Sequence, residues 1–282
     1  MGTTFWTNTI WYILLGIMTI LVLVIVFIKT SDRKYALSLY LTICGITFFA
    51  FELIILMCLK AYIYFPKIFT NQHDDSVVGN LFSQTSVSAS AVLIAVFNLK
   101  FHWQLIIALI YGVIEELFLL LGIYEQNWYR TWMTIISLLI LFRIAKIVNA
   151  TLSKHIGRIW RYIFIFFGLC TLHLHLVNWA SKAVGLRSFN ENLCPDIDCS
   201  IAIIAAIYHL LLAVSTMILY FTNINWKSKV VGIFILYIAH FFAEKYNVLM
   251  SADGWFFILT SISIWGMYLN IYILDRLYPK AS

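Results

Sequence analysis

Charge is what this sequence has least of: Asp, Glu, Lys and Arg make up 11% of its 282 residues, against about a quarter in ordinary globular domains. With so few ionic side chains a water-soluble particle has too little polar surface to cover itself, which excludes disordered chains, coiled coils and ordinary soluble enzymes together. Proline is nearly absent as well. Pro66, Pro195 and Pro279 all fall in predicted loops or tails, which speaks against transporters whose sites rest on proline-broken helices. The sequence contains no H-E-x-x-H, no G-x-S-x-G, no phosphate-binding glycine loop and no GxGxxG fingerprint, so the common hydrolase, ATPase and oxidoreductase signatures are missing. Five cysteines are too few for a disulfide scaffold. No internal repeat and no low-complexity linker is visible along the chain.

What is present is apolar: 62% of the residues are hydrophobic. A helix of about 20 such residues crosses the roughly 30 Å hydrocarbon core while satisfying its own peptide groups. Nine stretches qualify, near 10–28, 35–59, 81–99, 102–124, 128–148, 159–179, 200–222, 230–249 and 255–275. Runs such as Ile13 to Ile28 are apolar on every face, which excludes the alternating strands of a membrane β-barrel. The expected fold is therefore an all-α polytopic membrane protein, read as one membrane-embedded helical domain over 1–282.

Alternate loops differ in basic residues. One set and the C-terminal tail carry 13 of the 19 Lys and Arg, and the other set carries 6. Because basic residues are retained on the cytoplasmic side of short loops, the N-terminus is expected outside and the C-terminus inside. The net charge of +6 is thus an orientation signal, and no nucleic-acid partner is implied. Residues 1–9 lack Lys and Arg and no small-residue cleavage pattern follows the first span, so that span is expected to stay attached. Trp6 stands where a myristoylation signal needs Ser or Thr.

Ionisable residues inside spans are costly and so carry the functional reading. On this topology Glu52, Glu115, Glu116, His173, His175, His209, His240 and Glu244 lie in the middle or outer halves of their helices, as does Gln84, with Asn80 just before the third span. They are expected to converge on one polar cavity open to the outer side, the alternative being separate satisfaction by neighbouring helices. Tyr237, His240, Glu244, Asn247 and Ser251 recur at three- and four-residue spacing, which stacks them on one helical face. His240 and Glu244 form an i,i+4 pair suited to proton relay or to metal ligation, or simply to a structural hydrogen bond. His173 and His175 point about 200° apart on a helix, and His175, sharing a face with Thr171 and Asn178, is the better candidate. Glu115 and Glu116 are adjacent carboxylates, which sets a choice between protonation and pairing with a cation. Arg143 and Lys146 are expected to snorkel to headgroups. Cys194 and Cys199 flank an outer loop, five positions apart, and are expected to close a disulfide. A metal site on His73, Asp74, Asp75, Asp196 or Asp198 matches no standard ligand spacing, so no metal and no cofactor is assigned.

The stretches Tyr64-Phe65-Pro66-Lys67, Gly79-Asn80-Leu81-Phe82-Ser83-Gln84, Ile114-Glu115-Glu116-Leu117-Phe118, Gly122-Ile123-Tyr124 and Asn127-Trp128 resemble a group of uncharacterised polytopic membrane proteins of spore-forming Firmicutes. The resemblance covers residues 60–150. Those proteins are usually shorter and lack a counterpart to the last four spans. The resemblance implies a Gram-positive plasma-membrane setting and directs attention to Asn80, Gln84 and the Glu115/Glu116 pair, but implies no activity. Three functions stay open: binding or transport of a small solute or ion through the polar cavity, an intramembrane enzyme acting on a lipid or lipid-linked substrate by acid–base chemistry, and a structural or signalling component of sporulation. The lipid bilayer is the one partner the composition implies, and the oligomeric state is open.

Overall fold

The computed structural model describes residues 4–153, 156–173, 177, 180–181, 184–190 and 197–279, with side chains from 203 onward in the last segment. Among these are nine helices and four three-residue strands: α1 Phe5–Lys29, α2 Arg33–Cys58, β1 Tyr62–Tyr64, α3 Gln72–Val96, α4 Phe101–Leu120, β2 Tyr124–Gln126, α5 Thr131–Leu152, α6 Arg158–His173, β3 Arg187–Phe189, α7 Ile197–Phe221, α8 Trp226–Lys245, β4 Leu249–Ser251 and α9 Phe256–Leu277. Eight of the helices are long and apolar enough to cross a membrane, and α6 is described over 16 residues. The all-α polytopic expectation holds. Where the sequence reads as one domain, the chain groups into two compact units, Met1–Gly157 and Arg158–Lys280.

In unit 1, α3 is the central helix, packed by α1, α2 and α5, while α4 lies against α5. The run Ser86-Val87-Ser88-Ala89-Ser90-Ala91 is entirely buried, and its small side chains let neighbouring helices approach closely, as membrane interfaces require. Its hydroxyls are paired across helices: Ser88 donates to Thr47 at 3.2 Å, and Ser86 and Ser90 lie 2.8 and 2.9 Å from the Tyr111 hydroxyl. α3 starts at Gln72, well before the expected 81, because Asn71 caps it by accepting from the amides of His73 and Asp74. Asp75 accepts from the backbone amides of Lys67, Ile68 and Phe69 at 2.9, 2.7 and 2.9 Å. It fastens the β1–α3 loop to the helix, a structural role for a residue considered above as a metal ligand. Lys146 donates to the Leu99 carbonyl at 2.6 Å, so it caps the end of the α3 segment instead of reaching headgroups.

Unit 2 is built around α9, which packs on α6, α7 and α8. Near its Arg158 end, Arg161 is buried and held by Asp275 at 2.6 Å and by the Pro279 carbonyl at 2.8 Å.

The two units share an element order, helix–strand–helix–helix–strand–helix, at a constant spacing. α2 begins at Arg33 and α6 at Arg158, 125 residues later. From β1 onward both ends of every element keep that interval: Tyr62–Tyr64 and Arg187–Phe189, Gln72–Val96 and Ile197–Phe221, Phe101–Leu120 and Trp226–Lys245, Tyr124–Gln126 and Leu249–Ser251, Thr131–Leu152 and Phe256–Leu277. The strand registers coincide too: Tyr62 faces Gln126 and Tyr64 faces Tyr124, while Arg187 faces Ser251 and Phe189 faces Leu249. So do the flanking bonds, with Phe65 donating to the Ile123 carbonyl and Asn190 to that of Val248. Left-handed backbone recurs at Lys60 and Gly185 before the first strand of each unit, and at Gly122 and Asn247 before the second. The chain is thus an internal duplication preceded by α1. The sequence shows none because identical residues at this interval are few, Ser90 with Ser215 and Asn98 with Asn223 among them.

Candidate functional site

In unit 1 the antiparallel pair β1–β2 sits at one end of the helices. The short strands place Tyr62, Tyr64 and Tyr124 on one face together with Tyr129, with ring centroids 5.0–5.5 Å apart among the four for each contacting pair. Tyr12 of α1 joins the layer at 6.0 Å from Tyr64 and donates its hydroxyl to the Ile123 carbonyl at 2.5 Å. Burial pushes the hydroxyl pKa values of Tyr62, Tyr64 and Tyr124 well up, so these groups remain protonated donors.

Below the tyrosines is a cavity of about 100 Å³ whose lining includes Thr47, Glu52, Tyr62, Tyr64, Ser83, Tyr111, Glu115, Tyr124, Tyr129, Thr134 and Ser137, closed by Leu15, Phe51, Phe118 and Leu141. A water needs roughly 10–15 Å³ by this kind of measure, so the space suits several waters or one small solute. Two carboxylates reach it. Glu52 lies in the second half of α2, where Phe48–Cys58 winds in wide π-helical turns. It accepts from the Tyr62 hydroxyl at 2.9 Å and from the Asn80 amide nitrogen at 2.7 Å. Glu115 of α4 accepts from the Tyr124 hydroxyl at 3.0 Å and from Gln126 Nε2 at 2.7 Å.

Of the sequence candidates, Glu52 and Glu115 line this cavity and Asn80 orients one of them. Gln84 does not line it: its amide donates to the Cys44 carbonyl at 2.9 Å and ties α3 to α2. Glu116 is exposed and accepts from Thr131 Oγ1 at 2.5 Å, so the adjacent pair divides between inside and outside. His173, His209, His240 and Glu244 belong to unit 2 and are not among the residues that line this cavity.

In unit 2, His240 places Nδ1 2.7 Å from the Leu236 carbonyl, which assigns its proton there. Nε2 then accepts from the Tyr208 hydroxyl at 3.0 Å. His240 and Glu244 are not bonded to each other: Glu244 accepts from Ser251 at 2.8 Å. The expected helical stripe ends early, since α8 stops at Lys245 and Asn247 adopts a left-handed turn that leads into β4. Tyr237 is paired with Ser261 at 2.7 Å. His173 is fully buried and its ring lies 5.6 Å from that of His209. His175, Cys194 and the side chain of Cys199 lie outside the described residues, as do Asp196 and Asn178. Among the described residues no group of three His, Cys, Asp or Glu side chains is arranged to hold a metal ion.

Sequence reasoning missed the tyrosines, Gln126 and Arg187. The alternating Tyr62-Ile63-Tyr64 was the available signal, but a three-residue strand carries little periodicity. Arg187 was counted only as a loop charge. No family model, curated protein or solved structure matches the chain.

Proposed function

We propose that this integral membrane protein sits in a plasma membrane, binds a small cation in the unit 1 cavity from the outer side, and serves that cation's movement. One observation carries the reading: Glu52 and Glu115 line the same small cavity, and its lining contains no Lys, Arg or His. Two carboxylates in a low-dielectric space without a countercharge hold either protons or a cation, and the faces of the tyrosines above them attract positive charge. The volume suits ammonium, a methylated amine or a partly hydrated alkali ion. The excess of basic residues on alternate loops supports an extracytoplasmic position for β1–β2. The resemblance over residues 60–150, which ends close to the end of unit 1, supports a Gram-positive plasma-membrane setting.

The test is calorimetric titration of tetramethylammonium, methylammonium and K⁺ into the purified full chain in neutral-lipid nanodiscs. At least one cation is expected to bind saturably, with Glu52→Gln and Glu115→Gln each weakening it about tenfold or more, the scale of a lost hydrogen bond to a charged group. Saturable binding that survives the double substitution, or no cation binding to the wild type, overturns the reading.

A further inference from the structure

Two arginines are buried in unit 2, and they differ in one respect. Arg161 is neutralised by Asp275 at 2.6 Å. Arg187, 7% exposed, has no carboxylate within ion-pair distance among the described residues. Its guanidinium donates to Ser263 Oγ at 2.8 Å, Thr260 Oγ1 at 3.2 Å and the Leu259 carbonyl at 3.4 Å and also meets the Tyr208 hydroxyl, all neutral, and its Nε has no partner. Glu244, the acid whose charge reaches it, is engaged with Ser251. A buried cation is best held by a carboxylate in direct contact, and Arg187 has none among the described residues: Glu244 acts on it only from beyond ion-pair distance.

A second orphan lies close by. His173 is completely buried, and neither ring nitrogen has a hydrogen-bond partner. Its ring lies against Gly266 of α9, one turn beyond Ser263. A neutral imidazole carries one N–H, so His173 holds a donor with nothing to receive it. The Thr260 hydroxyl, which accepts from Arg187, keeps its own proton to donate, while that of Ser263 is shared with Tyr208.

The duplication gives the cluster its place. Arg187, Tyr208, His240 and Ser263 stand 125 residues beyond Tyr62, Ser83, Glu115 and Leu138, and all four of those line the unit 1 cavity. The position that holds the carboxylate of Glu115 in one unit holds the imidazole of His240 in the other, and that of Tyr62 holds a guanidinium.

We infer that unit 2 carries a second ligand site, in which Arg187, Ser263, Thr260 and His173 receive a phosphate group. A guanidinium fork with flanking hydroxyl and imidazole donors matches a tetrahedral oxyanion, and Arg is the side chain suited to bidentate phosphate recognition. Phosphate on a lipid headgroup and free phosphate offer the same oxygens. The inference does not depend on the cation reading of unit 1.

The test uses the full chain. In phosphate-free neutral detergent, inorganic phosphate is titrated while thermal stability and heat are followed. In parallel, nanodiscs of phosphate-free digalactosyldiacylglycerol with and without phosphatidylglycerol are compared. Saturable binding in either arm is expected; binding only to phosphatidylglycerol assigns the phosphate to a headgroup, and binding of inorganic phosphate assigns it to a soluble ligand. Ser263→Ala, a small change that keeps the fold, is expected to weaken binding several-fold and Arg187→Gln at least tenfold, while Lys227→Gln on the exposed start of α8 leaves it unchanged. No saturable binding by the wild type in either arm overturns the inference, as does an Arg187→Gln or Ser263→Ala protein that binds like the wild type, or equal loss in Lys227→Gln.

Discussion

Units 1 and 2 are the same frame with different chemistry at the same places. The position that is Glu115 in one is His240 in the other, and Tyr62 corresponds to Arg187. In unit 1 the buried acids are well supplied with donors: Tyr62 and Asn80 for Glu52, Tyr124 and Gln126 for Glu115. In unit 2 the balance is reversed, with surplus donors on Arg187 and His173. The strand register and left-handed turns are kept while almost every side chain differs. What the frame preserves is a set of inward-facing positions, and the residue type at each decides which sign of charge is welcome.

The comparison can be broken most severely at Gly79. A Cβ there would stand 2.4 Å from Tyr64 Cβ, so α3 approaches β1 only because the side chain is missing. Gly79→Val is expected to destabilise unit 1 by about 3 kcal/mol, the upper range for overpacking. Its unit 2 counterpart is already Ile204, and Ile204→Val should cost about 1 kcal/mol or less. Thermal denaturation in detergent measures both. Next come the two buried arginines. Asp275→Asn removes the countercharge of Arg161 and should cost about 2 kcal/mol, below the usual range for a fully buried pair because Asp275 is partly exposed. Arg187→Gln, which removes an unneutralised cation, should cost less than this or increase stability of the ligand-free protein; a larger loss than for Asp275→Asn would show that Arg187 is neutralised internally. A smaller effect is expected at the left-handed turns: Gly122→Ala should cost about 1 kcal/mol, whereas Asn247→Gly in unit 2 should be neutral or slightly stabilising, since only the first change introduces a Cβ where φ is positive. The smallest is Tyr12→Phe, which deletes the bond to the Ile123 carbonyl and is worth about 1 kcal/mol. Among the described residues unit 2 has no counterpart of α1, so this change should shift only the melting signal of unit 1, followed by hydrogen exchange at the amides of β1 and β3.

Hydropathy made the spans legible because a helix that crosses lipid must be apolar for its whole length. The exceptions are instructive. α3 is polar at its start, where Asn71, Asp75 and Ser76 serve the cap and the β1 loop, so its first two turns read as loop. α8 was read as ending four residues too late because Asn247 and Ser251 fit a helical face, although the backbone leaves the helix at Lys245. Glu52 and Glu115 were found because carboxylates within spans are expensive. Their shared cavity was not, since it depends on tyrosines from strands of three residues. Arg187 was hidden by its position in a predicted loop, where a basic residue is read as an orientation signal. The duplication was invisible because it survives in element lengths and backbone turns while side chains have diverged.

One feature of unit 1 bears on its biogenesis. β1 and β2 are hydrogen-bonded partners, yet α3 and α4 both lie between them in the chain. A ribosome-bound chain that has emerged only as far as Leu120 carries Glu115 without either Tyr124 or Gln126, and no strand yet exists to meet β1. The pocket is therefore among the last parts of this unit to be finished, and a nascent protein cannot engage a solute there until its fourth helix has been threaded and the following segment has come back to close the roof.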